Sequence, residues 1–205
     1  MLDLIEAIKL DPDDTSCICL LYLLNPSGLR KPGCIYRSEF APPLAKMGIS
    51  SIDDLITFCE SDAVNVKRLK MKKDLPKAGP DTRPTLEGFF IFFYKFNLEG
   101  TKKTMSRDFG ADLLLLAMKG MDNVHKHSFA DFLVDKANDG VLSSDEWIQF
   151  LHFSNKFNKA CEGYDEDQEV NASWPCLIDD YVEYTQKKAK EGGDAEQGTK
   201  RKGVL

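Results

Sequence analysis

The chain of 205 residues is long enough for one domain with a sizeable core, and its 42% apolar and 29% charged residues are typical of a globular protein. The net charge of −6 argues against nucleic acid as a partner. The longest apolar runs, residues 17–24 and 113–118, are far shorter than the roughly 20 residues that cross a bilayer, so we expect no membrane partner. The six cysteines include no C-x-x-C pair, which is typical of reduced thiols in a cytoplasmic or nuclear protein.

Apolar spacing and capping residues predict helices in the N-terminal half of the chain. Residues 2–8 should form a short amphipathic helix, and Asp11 should cap a second helix whose residues 17–24 are apolar all round and belong in a core. The lysine-rich connection at 62–82 is expected to be a solvated surface loop. The aromatic segment at 85–97 is long enough to favour a buried helix over a strand.

The C-terminal half is also predicted to be helical. Four helices are expected there: Ser106 to Gly120, 127–136, Ser144 to about Cys161, and a last one from Pro175. From residue 187 onward the chain is too polar to order itself. We therefore predict an all-α fold, with a single domain at residues 1–186 and a disordered charged tail at 187–205.

A stretch that begins at Asp135 is similar to an EF-hand calcium loop. Such a loop needs oxygen ligands at positions 1, 3, 5 and usually 9, a glycine at position 6 and a glutamate at position 12. Asp135 and Glu146 hold the first and last positions. Asp139 and Gly140 hold the fifth and sixth, but Ala137 places a methyl group at the third. The ligand set is weakened, and an EF-hand-type calcium-binding protein remains the alternative function.

A second stretch, from Gly28 to Glu39, repeats this skeleton without its ligands. Gly33 holds the turn position and Glu39 the last position. Arg30 and Pro32 stand where oxygen ligands belong. The two stretches together predict two EF-hand-like helical halves without functional calcium sites, and we expect no cofactor.

Acidic residues crowd the last third of the chain. On the last predicted helix Cys176, Asp179 and Glu183 share one face, while Ile178 and Tyr181 fall on the side that packs. The acidic face is either a solvated surface or a patch that captures basic side chains of a partner protein. The sequence shows no nucleophile with an evident base and no phosphate-binding glycine loop, so we expect a protein that is not an enzyme.

The segment W-P-C-L-I-D-D-Y-V-E-Y at residues 174–184 resembles the W-P-x-L-I-D-D-F-V-E motif of the defective-in-cullin-neddylation family. Other segments that resemble this family follow in the same order: L-D-P at 10–12, G-C-I-Y-R-S-E-F-A-P-P-L-A-K-M-G-I-S-S-I-D-D-L at 33–55, an aromatic run at 89–96, and D-E-W at 145–147. The resemblance covers residues 1–184.

This resemblance implies a potentiating-neddylation domain that acts as a co-ligase. Its partners would be the C-terminal winged-helix domain of a cullin, the E2 that carries the ubiquitin-like modifier, and the RING subunit. The protein would accelerate transfer to the cullin lysine by positioning, while the E2 and the RING subunit supply the chemistry. The family's ubiquitin-associated domain has no counterpart ahead of this segment, so we expect either a short form or a start farther upstream.

The resemblance also carries over two sets of contact residues. The cullin-binding residues would be Asp145, Ser173 and Asp179, with Ser173 where the family normally has alanine. An apolar pocket for the acetylated N-terminal methionine of the E2 would draw on Cys17, Leu20, Leu21, Leu24, Phe96, Leu113 and Leu116.

Overall fold

The structure, a computed structural model, describes residues 2–11, 14–25, 36–61, 64–76, 83–136, 140–164 and 174–199. The chain divides into two compact units. The first comprises Met1–Met105 and Leu116–Met121, and the second comprises Ser106–Leu115 and Asp122–Leu205.

Helices account for most of the first unit. Its elements are α1 (Leu2–Ala7), α2 (Thr15–Leu24), α3 (Arg37–Lys46), α4 (Ile52–Glu60), two 3₁₀ turns (Val66–Arg68 and Lys72–Asp74) and α5 (Leu86–Phe96). The strand β1 (Thr104–Ser106) follows, at the boundary of the unit.

The second unit is built mainly from four helices. Its elements are α6 (Arg107–Ala117), whose last two residues belong to the first unit, α7 (Lys126–Asp135), the strand β2 (Val141–Ser143), α8 (Ser144–Ser154) and α9 (Cys176–Thr199). β1 and β2 pair in a two-stranded sheet. The predicted all-α class is confirmed, since the strands are limited to three residues each. In the ranges that the structure describes, no helix is both long and apolar enough to cross a membrane.

The core of the first unit forms around α2 and α5. The apolar cluster on the α2 side consists of Ile8, Leu20, Leu24, Ile49, Leu55, Cys59 and Val64. On α5, Phe89, Phe93 and Tyr94 are completely buried. Tyr22 of α2 meets Phe89 edge-on, with 6.0 Å between the ring centroids. The predictions that residues 17–24 lie in a core and that residues 85–97 form a buried helix are therefore confirmed.

The core of the second unit is aromatic. The rings of Phe129 on α7 and Phe150 on α8 stack with 3.8 Å between centroids. Tyr181 on α9 is completely buried and meets Phe129 edge-on at 5.0 Å. Trp147 on α8 is also buried. These contacts lock three helices together, so side chains on their outer faces are held on a rigid frame.

Two helix boundaries differ from the sequence prediction. The second helix begins at Thr15 because Asp14 caps it, its carboxylate accepting a hydrogen bond of 2.8 Å from the backbone N–H of Ser16; the expected cap at Asp11 was wrong. The helix predicted to reach Cys161 ends at Ser154. It stops there because the side chain of Asn155 donates to the carbonyl of Leu151 at 2.8 Å and satisfies a terminal acceptor.

The connection predicted as a solvated loop is partly a core element. Val64, Val66 and Met71 are buried, at 3%, 4% and 5% exposure. Two 3₁₀ turns shape this segment and turn the three side chains inward while their lysine and arginine neighbours face solvent. Burial of apolar surface therefore overrides the basic composition that suggested a solvated loop.

The last helix continues past the predicted domain boundary at residue 186. α9 extends to Thr199, and the predicted tail from 187 is helical over that range. Lys188 contributes to this continuation because its Nζ lies 3.8 Å from Oδ2 of Asp135 and 4.4 Å from the centroid of the Tyr184 ring. Residues 200–205 lie outside the described residues.

Candidate protein-binding site

Asp145 is placed by the start of α8. Ser143 is the N-cap, and its hydroxyl accepts a hydrogen bond of 3.2 Å from the backbone N–H of Glu146. The carboxylate of Glu146 reaches back to the N–H of Ser143 at 2.7 Å and completes a capping box. Asp145, between them, is exposed, in the first turn where the helix dipole favours a negative charge. The backbone that carries this carboxylate is therefore fixed, and the carboxylate is accessible to a partner.

Asp179 is placed by the first two turns of α9. The side chains of Ile178, Tyr181 and Val182 are at most 1% exposed, as the helical spacing predicted. Asp179 is half-buried at the edge of this face, and Oδ1 of its carboxylate accepts a hydrogen bond from the hydroxyl of Tyr164. Glu183, one turn further on, is exposed.

An aromatic cluster supports the Asp179 end of this surface. Its four rings are Phe153, Phe157, Tyr164 and Trp174. Trp174 meets Phe153 at 6.0 Å and Phe157 at 6.4 Å between centroids. These contacts anchor Trp174 two residues before α9 begins. Ser173, the residue before it, lies outside the described residues.

The carboxylates of Asp145, on α8, and Asp179, on α9, lie near different ends of α8. Tyr164 meets Phe153 at 5.8 Å between ring centroids and also binds Asp179, so Asp179 is near the C-terminal part of that helix. Asp145 precedes Phe153 by eight residues, which is about 12 Å of helix at 1.5 Å per residue. The structure therefore presents two separated acidic groups rather than one carboxylate pair. A pair that shares a proton, as acid/base chemistry would need, is not formed by these two groups.

We define the acidic face as Asp145, Asp179 and Glu183 on α8 and α9. A buried polar network lies in the core of the same unit. His125 is fully buried, with Nε2 3.1 Å from the carbonyl oxygen of Phe157 and Nδ1 3.0 Å from the hydroxyl of Tyr181. The carbonyl only accepts, so Nε2 carries the proton and Nδ1 accepts from Tyr181. Burial lowers the pKa of His125 and raises the pKa of Tyr181, so both groups are neutral at pH 7.

The predicted calcium ligands have other partners. Asp135 accepts a hydrogen bond of 2.5 Å from the Tyr184 hydroxyl, and Glu146 is used in the capping box. Ala137 and Asp139 of this loop lie outside the described residues, as do residues 28–35 of the second predicted loop. Within the described ranges, no group of three or more His, Cys, Asp or Glu side chains is arranged to hold a metal ion.

The residues predicted for the E2 pocket differ in exposure. Those on α2 are all buried: Cys17, Leu20, Leu21 and Leu24. Leu20 and Leu24 belong to the apolar cluster that forms the core of the first unit. Phe96 and Leu116 are half-buried, and Leu113, which belongs to the second unit, is buried. The half-buried pair is therefore the part of this set that a ligand could reach with the least rearrangement.

The Cys17 thiol sits at the start of this set. It donates to the backbone carbonyl of Asp11 at 3.1 Å. Burial, followed by the nearby negative charge of Asp14, raises the pKa of Cys17 to about 11. The thiol is therefore protonated and unreactive at neutral pH, as expected for a structural cysteine.

Tyr164 and Lys188 are functional candidates that the sequence did not indicate. Tyr164 is fifteen positions from Asp179, and Lys188 lies in the segment predicted to be disordered. Tyr164 stands at no helical spacing from Asp179, and Lys188, although one helical turn from Tyr184, is far in sequence from Asp135. Tyr164 could be identified only from the tertiary structure, which places its ring next to Asp179.

The fold and the site define a mostly helical protein whose second unit presents separated carboxylates on a rigid aromatic frame. Residues 64–184 match the family model described as cullin binding. This match covers more than half of the chain, and the chain therefore belongs to the cullin-binding family.

Named relatives agree with this family. The chain is 23% identical over 182 residues to DCN1-like protein 3 of Drosophila melanogaster, covering 89% of this chain and 48% of the relative. It is 25% identical over 194 residues to defective in cullin neddylation protein 1 of Saccharomyces cerevisiae, covering 89% and 63%. It is 22% identical over 186 residues to human DCN1-like protein 3, covering 90% and 55%. The chain thus spans about half to just under two thirds of the length of these relatives.

Proposed function

We propose that this protein is a non-catalytic adaptor in cullin neddylation. It binds the C-terminal winged-helix domain of a cullin through the acidic face and also binds the neddylation E2. The RING subunit is a third component of the assembly. The observation that carries the proposal is the pair of carboxylates, Asp145 and Asp179, held on packed helices inside the segment that matches the cullin-binding family.

Electrostatics support a basic docking partner. Asp145 lies in solvent at a helix N-terminus, and Asp179 is held in place by a hydrogen bond. Preorganised charges at a binding surface raise the rate of encounter and select partners of opposite charge. Asp145 at the N-terminus of α8 and Asp179 near the C-terminal part of that helix are separate groups, which spreads the contact over a surface and fixes the orientation of the partner.

The role of the adaptor is positional. Transfer of the modifier from the E2 thioester to a cullin lysine needs the two reacting groups in one geometry, and holding them together removes much of the entropic barrier. The E2 contact is proposed at the apolar set on α2, α5 and α6, where the half-buried Phe96 and Leu116 receive the acetylated N-terminus of the E2. Cys17, Leu20, Leu21 and Leu24 complete the part of the proposed pocket that lies in the first unit.

Binding of the purified cullin winged-helix domain tests the site. We expect Asp145→Ala combined with Asp179→Ala to weaken binding by about tenfold or more, which is about 1.4 kcal/mol per factor of ten. Asp112→Ala is the matched control, because Asp112 is an exposed acid on α6 of the same unit and lies outside the acidic face. Unchanged affinity in the double variant would overturn the site assignment.

A single-turnover transfer assay tests the adaptor role. The wild-type protein should accelerate transfer from the loaded E2 to the cullin, and the Asp145→Ala, Asp179→Ala variant should lose this acceleration. The same variant should still bind an acetylated peptide of the E2 N-terminus, while Leu116→Asp should lose the peptide and keep the cullin. Acceleration that survives loss of cullin binding would contradict the proposal.

A further inference from the structure

The position of Tyr164 is set by its ring. The ring meets Phe153 at 5.8 Å and Phe157 at 5.4 Å between centroids, both edge-on with interplanar angles of 72°. Such edge contacts add directional preference to ordinary apolar burial. The same two phenylalanines hold Trp174, so one aromatic cluster places both Tyr164 and the start of α9.

The hydroxyl of Tyr164 then places a charge. It donates to Oδ1 of Asp179, and an O–H bond to an ionised carboxylate is roughly twice as strong as a bond between neutral groups. An aspartate at the edge of a helix otherwise samples several rotamers, and a partner would have to order it on binding. The hydrogen bond selects the carboxylate orientation before any partner arrives.

We propose that Tyr164 is a positioning residue for the cullin contact: its hydroxyl preorganises the Asp179 carboxylate for a basic side chain of the partner. This inference rests on the proposed function, since it assigns a role within the same site. The cluster ties the Asp179 carboxylate to the start of α9, because its rings hold Trp174 and its Tyr164 hydroxyl holds Asp179.

A double-mutant cycle on the full chain tests this role. Tyr164→Phe keeps the ring and removes only the hydroxyl, so the aromatic contacts remain. We expect it to weaken binding of the cullin winged-helix domain by about three- to tenfold, the usual range for one hydrogen bond. In the Asp179→Ala background the same change should have no further effect, because the group through which it acts is gone.

Tyr184→Phe is the matched control. Tyr184 is another half-buried tyrosine, on α9, and the variant removes only its hydroxyl. That hydroxyl bonds Asp135 on α7, which is not a member of the acidic face. We expect its cullin affinity to equal that of the wild type. Melting temperatures of all variants are measured in parallel, since a merely structural role for Tyr164 would lower the melting temperature without coupling to Asp179.

The outcomes separate this inference from the proposed function. If Asp179→Ala weakens binding and Tyr164→Phe does not, the positioning role is overturned and the docking site stands. If Tyr164→Phe weakens binding equally with and without Asp179, the tyrosine acts through packing and the positioning role is again overturned. If Asp145→Ala and Asp179→Ala both bind as the wild type does, the docking site itself is overturned.

Discussion

The hydroxyl of Tyr184 on α9 donates a hydrogen bond of 2.5 Å to Oδ2 of Asp135, the residue that begins the calcium-like stretch. Lys188 adds an ion pair of 3.8 Å to the same oxygen. The carboxylate that would be the first calcium ligand is thus engaged by the last helix. What resembles a metal loop in sequence serves here to tie α7 to α9.

Calcium should therefore not stabilise the protein. A ligand that binds only the folded state raises the melting temperature in proportion to the logarithm of its concentration. Because Asp135 is engaged and Ala137 supplies no oxygen at the third position, we expect the melting temperature to be the same in millimolar calcium and in chelator. A rise in the melting temperature with calcium would contradict this expectation.

The variant Tyr184→Phe shows whether the hydrogen bond to Asp135 or the missing ligand at Ala137 prevents calcium binding. Tyr184→Phe releases Asp135 from the hydroxyl but leaves Ala137 in place. We expect it to remain insensitive to calcium, because the third ligand is still absent. If Tyr184→Phe alone became sensitive, the hydrogen bond would be the main barrier to calcium and the ligand set would be adequate.

The stability of the second unit should fall as the pH drops below 7. Burial lowers the pKa of His125 in the folded state below its usual value of 6.5. Between these two values the unfolded chain binds a proton that the folded chain does not, so stability decreases as the pH falls, by up to about 1.4 kcal/mol per pH unit. Urea unfolding measured from pH 7.5 downward should show this slope.

His127 provides the control for this measurement. It lies two residues away on α7 and is exposed, whereas His125 is fully buried. We expect His125→Gln to be less stable at pH 7.5, because two buried hydrogen bonds are disturbed, and to lose most of the pH slope between 7 and 5. The pH slope should persist in His127→Gln. If the slope disappeared in that variant, His127 and not His125 would be its source.

Gly88 should not tolerate a side chain. Tyr22 bonds both backbone groups of Thr85, accepting from its N–H at 2.9 Å and donating to its carbonyl at 3.1 Å. A Cβ atom at position 88 would overlap the Tyr22 hydroxyl and lie 3.1 Å from Oγ1 of Thr85. We expect Gly88→Ala to reduce the free energy of unfolding by about 1–3 kcal/mol, the usual cost of overpacking.

The Tyr22 hydroxyl is the group that a Cβ atom at position 88 would overlap most closely, so removing it should rescue Gly88→Ala. Tyr22→Phe removes it and should be destabilising alone, because the N–H and carbonyl of Thr85 lose a partner. In the Tyr22→Phe background, Gly88→Ala should cost much less than it does in the wild type. Equal costs in both backgrounds, measured by urea unfolding, would show that the clash is with another group.

Local features were predictable because their causes are local. The capping box of Ser143 and Glu146 needs only two residues three positions apart. The buried helix Leu86–Phe96 follows from the length and apolar content of one segment. The inward side of α9 follows from helical periodicity, and Tyr181 is buried as predicted. The acidic character of the candidate surface was equally visible, since it depends on residue type alone.

The sequence by itself thus determined the helical class, the apolar segments and the family to which the chain belongs. Only the tertiary structure decided what each polar group does: Asp135 bonds Tyr184, Tyr164 bonds Asp179, and His125 lies buried against Tyr181. Residues fifteen to fifty-six positions apart form these bonds. No spacing rule predicts such pairs, because they depend on how helices with interchangeable apolar faces pack and on which polar atoms that packing brings within hydrogen-bond distance.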